Sequence, residues 1–181
     1  ATKALYIGSD SSNPALSASQ IKSALGYKGN PPDGIYWLQP VETTTPFQAY
    51  IDFSTANGPW VHVGTAVGNT RGLYTYRATW ANRTTNSGTA TDPYNTSTSS
   101  FNAGSFIYCR GSQIMVKYST TGYVQASGFN NESWRSVYNF LNGLSAWPSY
   151  NSYQRELTIT SRSGVVTSNT VAGAGLLYGT E

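Results

Sequence analysis

The sequence predicts an α+β domain, mostly antiparallel β-sheet with two short helices. Three observations predict it. Short runs of aromatic and β-branched residues recur between turn-forming Gly, Asn, Pro and Ser residues, which is how strands and hairpins read. Only two stretches, 18–25 and 132–142, space their apolar residues by three and four as a helix requires. Charged residues are 10% of the chain and aromatics 14%. The usual charged share is about 25%, so a neutral polar surface must cover an aromatic-rich core. The 181 residues suffice for one domain with its own core.

In chain order, residues 4–7 (Ala-Leu-Tyr-Ile) read as a lead-in strand and 8–14 as a polar turn. Ser17 and Gln20 stand three apart in capping-box form. Ala18, Ile21 and Leu25 then mark the buried stripe of a helix over 18–25, and Gly26 stops it. Residues 35–39 and 47–53 are strands, with Asn57-Gly58 at a tight turn and a further strand from Trp60. Residues 73–80 alternate, with Tyr74, Tyr76, Ala78 and Trp80 on one face. Residues 82–100 hold no Leu, Ile, Val or Phe and form a long polar loop. Residues 106–110 and 113–118 read as strands around Gly111-Ser112, a hairpin turn. A second turn follows at 120–122. Asn131 caps the helix over 132–142, whose stripe is Trp134, Val137, Tyr138 and Leu141. A last strand covers 155–160, and 162–181 is a C-terminal tail.

Two blocks within this layout share a pattern with a known family. The first runs Asp33-Gly34-Ile35-Tyr36-Trp37-Leu38-Gln39-Pro40, then Pro46-Phe47-Gln48-Ala49-Tyr50-Ile51-Asp52-Phe53, then Asn57-Gly58-Pro59-Trp60. It resembles the opening of a fibrinogen C-terminal-like domain, with its "DGxYxI" strand, "PFQVYCDM" strand and glycine-rich turn into a Trp-bearing strand. The second, Gly128-Phe129-Asn130-Asn131-Glu132-Ser133-Trp134, resembles the family's "GFG…GEFWLG" run. A short helix before the first block, opened by Asn13-Pro14, is similar to versions found in bacteriophage tail fibres. The resemblance divides a single domain, 1–181, into a lead-in (1–30), a first block (31–66), an inserted β-rich region (67–127), a second block (128–161) and the tail. It implies a fibrinogen-like core and a recognition module. It brings no site with it. Ile51 stands where the family has a Cys, no acidic cluster matches its calcium loop, and its ligand pocket has no counterpart that aligns.

Elementary chemistry narrows the function classes. The net charge of +3 is spread over 11 scattered Lys and Arg, with no basic footprint for nucleic acid. No apolar run approaches the ~20 residues of a membrane span. Cys109 is the only cysteine, so no internal disulfide and no Cys-built zinc cage can form; it reads as a buried small hydrophobe. The missing family disulfides favour synthesis in a reducing host cytoplasm, as for a viral structural protein. Eight acids are scattered, and Asp33 and Asp52 stand at strand and turn positions that suggest a structural role rather than a hydrolytic pair. His62 is the only histidine and sits in a strand, with no nucleophile-elbow motif to serve. The chain therefore reads as a binder and not an enzyme, with no cofactor and no metal.

The remaining chemical signal is aromatic. Tyr74, Tyr76 and Trp80 share a strand face beside the polar loop with Tyr94, and Trp147 and Tyr150 lie in a second aromatic and polar loop. Either set could stack sugar rings while Asn and Ser read the hydroxyls, although such a stripe is more often core or subunit interface. The expectation is a virion-surface domain, of tail-fibre type, that binds host polysaccharide or glycoprotein noncovalently and packs on other virion subunits. It would act as a homo-oligomer; tail appendages are often trimers, and no heptad repeat here fixes the number. The alternatives are a purely structural capsid or tail decoration protein and, more remotely, a polysaccharide depolymerase.

Overall fold

The capping box folds as one. Helix α1 spans Ala18–Leu25, and the Ser17 hydroxyl accepts from the Gln20 N–H at 3.1 Å. The Gln20 amide oxygen reaches back to the Leu16 N–H (2.7 Å), one residue beyond the cap itself. The Gly26 N–H closes the helix on the Lys22 carbonyl, with Gly26 still in right-handed backbone. Ala18 and Ile21 turn inward, and the Lys22 ammonium donates to the Gly58 carbonyl. The computed structural model describes residues 6–26, 29–56, 58–67, 100–109, 113–117, 123–127, 158–163 and 173–179.

The strands described are β1 (Gly34–Leu38), β2 (Phe47–Asp52), β3 (Trp60–Val67), β4 (Ser100–Phe101), β5 (Gln113–Lys117), β6 (Tyr123–Ser127), β7 (Thr158–Ser163) and β8 (Gly173–Gly179). They form one antiparallel sheet in the order β1-β2-β3-β8-β5-β6-β7, with β4 also pairing with β3. Strand β8 pairs along all of β3, and β2 and β4 divide the other edge of β3 between its start and its end. The free edge of β1 is covered by the lead-in. The Trp37 N–H donates to the Gly8 carbonyl (2.8 Å), Ala15 donates to Trp37 (3.0 Å), and Gln39 donates to Ala15 (2.7 Å). Edge groups satisfied in this way, here at Trp37 and just beyond β1, are not open to pairing with another chain.

Register decides which side chains meet. Tyr36 faces Ala49, Gly34 faces Ile51, and Ile51 faces Val61. Tyr36, Leu38, Ala49, Ile51 and Val61 therefore share one buried face, joined by Phe53, whose ring meets Tyr36 edge-on at 5.6 Å. The Tyr36 hydroxyl donates to the Pro32 carbonyl, and burial pushes its pKa up to about 12. The opposite face carries a smaller core of Trp60 and Met115 with Tyr123 against them.

The α+β reading stands at this level, while three local expectations are corrected. Residues 6 and 7 form no strand, because the Ser9 N–H turns back to the Tyr6 carbonyl. The described part of the expected strand at 106–110, residues 106–109, is not a strand. Residues Ala103–Tyr108 form a second helix, α2, and Cys109 is its C-terminal cap. The physical reason is Asn102. Its Oδ1 caps the Ser105 N–H (3.0 Å), its N–H donates to the Val63 carbonyl (2.8 Å), and its Nδ2 donates to the Gln48 carbonyl (2.7 Å). This clamp fills the splay where β2 leaves β3 and seats α2 there, with Tyr108 against Phe47 (6.3 Å). Finally, 162–181 is more than a tail, since it supplies the end of β7 and all of β8. Ser100, the last residue of the expected polar loop, opens β4. The expected strand at 73–80, the helix at 132–142 and the turns at 111–112 and 120–122 lie outside the described residues.

Candidate functional site

Asp33 and Asp52, the carboxylates a hydrolytic reading would need, converge on the turn after β2. Asp33 accepts from the Phe53 N–H (2.6 Å), the Ser54 N–H (3.0 Å) and the Ser54 hydroxyl (2.6 Å). Asp52, fully buried, accepts from the Thr55 N–H and the Thr55 hydroxyl (both 2.8 Å) and from the Ser54 N–H (3.1 Å). These bonds hold the turn, and the Trp60 indole N–H anchors to the Thr55 carbonyl at its far side (2.9 Å). Gly58 is required by a close approach, because a Cβ there would meet the Asp52 carbonyl oxygen at 2.6 Å. The left-handed backbone of this turn is at Ala56 (φ 42°).

His62 is buried in the sheet, and its Nε2 lies 2.8 Å from the Thr65 hydroxyl. Residues three apart on a strand normally point to opposite faces. A β-bulge between His62 and Gly64 adds the residue that brings these two together. Burial pushes the His62 pKa down to about 4, with a hydrogen bond to the Gly64 backbone opposing it. This is a neutral imidazole that packs. Among the described residues no three His, Cys, Asp or Glu side chains gather as metal ligands, and no helix is long and apolar enough to cross a membrane.

Among the described residues a cleft of about 180 Å³ has the geometry of a site. One wall is the start of α1, with Leu16, Ser17 and Ser19. A second is the turn at Pro40, Val41 and Glu42, closed by the Thr43 N–H on the Pro40 carbonyl (3.0 Å). The third is the end of α2, with Tyr108 and Cys109, and Val61 of β3 also contributes. Leu16 and Val41 are 51% and 83% exposed, whereas Cys109 is 8% exposed. The lining thus combines an aromatic ring, aliphatic groups, hydroxyls and one carboxylate. Among the described residues lining it there is no Lys or Arg.

The residues expected to bind ligand lie elsewhere in the chain. Tyr74, Tyr76, Trp80, Tyr94, Trp147 and Tyr150 all fall outside the described residues. Sequence reasoning missed Leu16, Val41, Glu42 and Tyr108, which come from three separated segments. The one available signal was Val41, an apolar residue in a turn that no strand or helix pattern absorbed. No protein-family model matches the chain, and no curated protein is significantly similar to it.

Proposed function

We propose that this chain is a virion-surface domain, of the kind carried by phage tail fibres, that binds host-envelope glycans noncovalently. The observation that carries the reading is the cleft, where an aromatic ring, exposed aliphatic groups, hydroxyls and a carboxylate meet on a chain with only 10% charged residues. Binding sites of this type place a few polar groups among apolar and aromatic ones. The antiparallel run from β1 to β3, with Trp60 opening β3, supports the fibrinogen-like pattern of the first block. A single weak site gains strength when several copies engage one surface.

The test is binding of the labelled chain to intact candidate host cells, with soluble surface polysaccharide as competitor. Saturable binding abolished by one polysaccharide is the expected result. A folded, natively assembled sample that binds no cell would sink the reading. The purely structural alternative has its own support in the exposed apolar Leu16, Ile35, Val41 and Ile107, which could pack on neighbouring subunits. It predicts concentration-dependent self-association without cell binding.

A further inference from the structure

Asp33 is the only aspartate in the chain that is followed by glycine. Such a pair is prone to cyclise, because glycine has no Cβ to shield its nitrogen from the aspartyl carboxyl. The reaction needs no co-reactant but water. The carboxylate takes one proton from solvent, the Gly34 nitrogen bonds to Cγ of Asp33 and gives up its own proton, and one carboxyl oxygen leaves with both as water. Water then opens the cyclic imide. Cleavage between the nitrogen and Cγ returns aspartate. Cleavage between the nitrogen and the Asp33 backbone carbonyl carbon gives iso-aspartate, whose main chain runs on through Cβ and Cγ. One water leaves and one enters, and nothing is oxidised or reduced.

The fold opposes the first step. Asp33 is exposed, yet both of its carboxylate oxygens are engaged. One accepts from the Phe53 N–H (2.6 Å) and the Ser54 N–H (3.0 Å), and the other from the Ser54 hydroxyl (2.6 Å). Ring closure must swing Cγ away from these donors and expel one of the oxygens they hold. Gly34 opens β1 in register with Ile51, which restricts the backbone rotation that would bring its nitrogen to Cγ. The turn that supplies the donors is itself fastened, by Asp52 on the Thr55 N–H and by the Trp60 indole on the Thr55 carbonyl.

We propose that Asp33-Gly34 is a latent isomerisation site that the turn after β2 keeps closed. While the turn is latched, residue 33 persists as aspartate. When the turn opens, the pair cyclises, and iso-aspartate cannot restore the latch. Its extra main-chain carbon displaces the carboxylate from Phe53 and Ser54 and lengthens the chain that leads into β1. A transient opening is thereby made permanent.

The test compares the full-length chain, folded and in urea, during incubation at neutral pH in heavy-oxygen water. Each passage through the imide places one heavy oxygen in residue 33. Peptide fragmentation in a mass spectrometer localises the label and separates iso-aspartate from aspartate. Asn57-Gly58 and Asn142-Gly143 close the same ring with loss of ammonia, so their labelling in urea shows that the conditions permit the reaction. The expected result is labelling of residue 33 in urea and labelling at least about a hundredfold slower in the folded chain, since each hydrogen bond to a charged acceptor shifts an opening equilibrium by about tenfold or more. Ser54→Ala removes one donor and should raise the folded-state rate about tenfold while leaving the rate in urea unchanged; a thermal melt establishes that it is folded. Gly34→Ala is sterically admissible, because a Cβ there would meet Tyr36 Cε2 at 4.0 Å, an ordinary contact. It should slow labelling of residue 33 in urea by about tenfold, as the added methyl shields the nitrogen. Equal rates for the parent chain folded and in urea would overturn the latch, and so would a folded Ser54→Ala protein that labels no faster than the parent. Labelling of both Asn-Gly pairs in urea without labelling of residue 33, or a Gly34→Ala chain that labels there as fast as the parent, would overturn the site itself.

Discussion

Gly104→Ala tests how α2 is seated. A Cβ at position 104 would lie 2.5, 2.6 and 2.8 Å from Cγ, Cδ2 and Cδ1 of Phe47. Carbon atoms in good contact sit about 3.5–4.0 Å apart, so the methyl would intrude on the ring by about 1 Å. Moving the Cγ of Phe47 aside takes a rotation about χ1, which gives up its ring contact with Tyr108. Two effects compete. Alanine in place of glycine favours a helix by about 1 kcal/mol, and overpacking a well-filled contact costs about 1–3 kcal/mol. With three ring atoms inside contact distance the overlap wins, for a net loss of about 1–2 kcal/mol. For a chain of this size that lowers Tm by roughly 2–8 °C, measurable by circular dichroism. Phe47→Ala removes the obstacle, and in that background Gly104→Ala should stabilise. The double-mutant cycle would give a coupling of about 1–3 kcal/mol. A Gly104→Ala protein that melts at or above the parent temperature would refute the packing of α2 on Phe47.

Three further perturbations follow from the same geometry. Asn102→Ala loses the α2 cap and the strut to Gln48 together, about 2–3 kcal/mol by urea unfolding; Asn102→Ser keeps a cap but cannot reach Gln48, and should recover about half. His62 has a folded pKa of about 4 against about 6.5 unfolded. The unfolded chain therefore binds the extra proton between those values, and stability is full above pH 6.5 and falls as pH drops toward 4. The loss amounts to roughly 3 kcal/mol over that window, and His62→Gln should flatten it in unfolding curves taken from pH 7 to pH 4. Asp52→Ala leaves the Thr55 N–H and hydroxyl without their acceptor and should cost about 3 kcal/mol, whereas Asp52→Asn, which retains one carbonyl oxygen, should cost about 1 kcal/mol. Equal denaturation midpoints for these two variants would show that the carboxylate does not hold the turn.

What the sequence reveals here depends on how local the deciding interaction is. Helix α1 was legible to the residue because its cap, stripe and stop all lie within ten neighbours; the Ser17 hydroxyl takes the Gln20 N–H as the spacing implies, while the Gln20 side chain bonds Leu16 in place of Ser17. Strands β1 and β2 were legible because both are runs of aromatic and branched residues, whereas their antiparallel pairing was not read from the sequence. Helix α2 was not. Phe106, Ile107 and Tyr108 favour a strand by propensity, and what reverses it is Asn102 bonding to residues 54 and 39 positions earlier. Strand β8 was hidden for a related reason. Its glycines at 173, 175 and 179 weaken any strand signal, yet it pairs with both β3 and β5, partners far off in sequence. The contact between His62 and Thr65 needed a bulge that no alternation pattern announces. The cleft needed all of this, since its walls come from residues near 17, 41, 61 and 108 and meet only once the sheet has formed.

That origin has a consequence for binding. Each wall of the cleft is fastened by bonds independent of any ligand. The α1 wall is tied through Ala15 to Trp37 and Gln39 on either side of Leu38, and the Pro40 turn follows directly from that tie. The α2 wall is tied through Asn102 to β2 and β3. A site ordered before its ligand arrives pays little for side-chain and loop ordering on binding. On the proposed glycan-binding reading, a cleft of about 180 Å³ buries little of its ligand, so its single-copy affinity stays modest however rigid it is. In the proposed multi-copy assembly rigidity would instead make the copies equivalent, because each would present the same cleft with the same geometry. Equivalent weak sites on one assembly are the condition under which linkage raises avidity by about 10²–10⁴ over a single site. If the cleft binds glycan as proposed, loosening a wall by Gly104→Ala should reduce single-site affinity only slightly. On the same reading its effect on attachment by a multi-copy assembly should be larger, because the small loss at each site multiplies across every copy engaged.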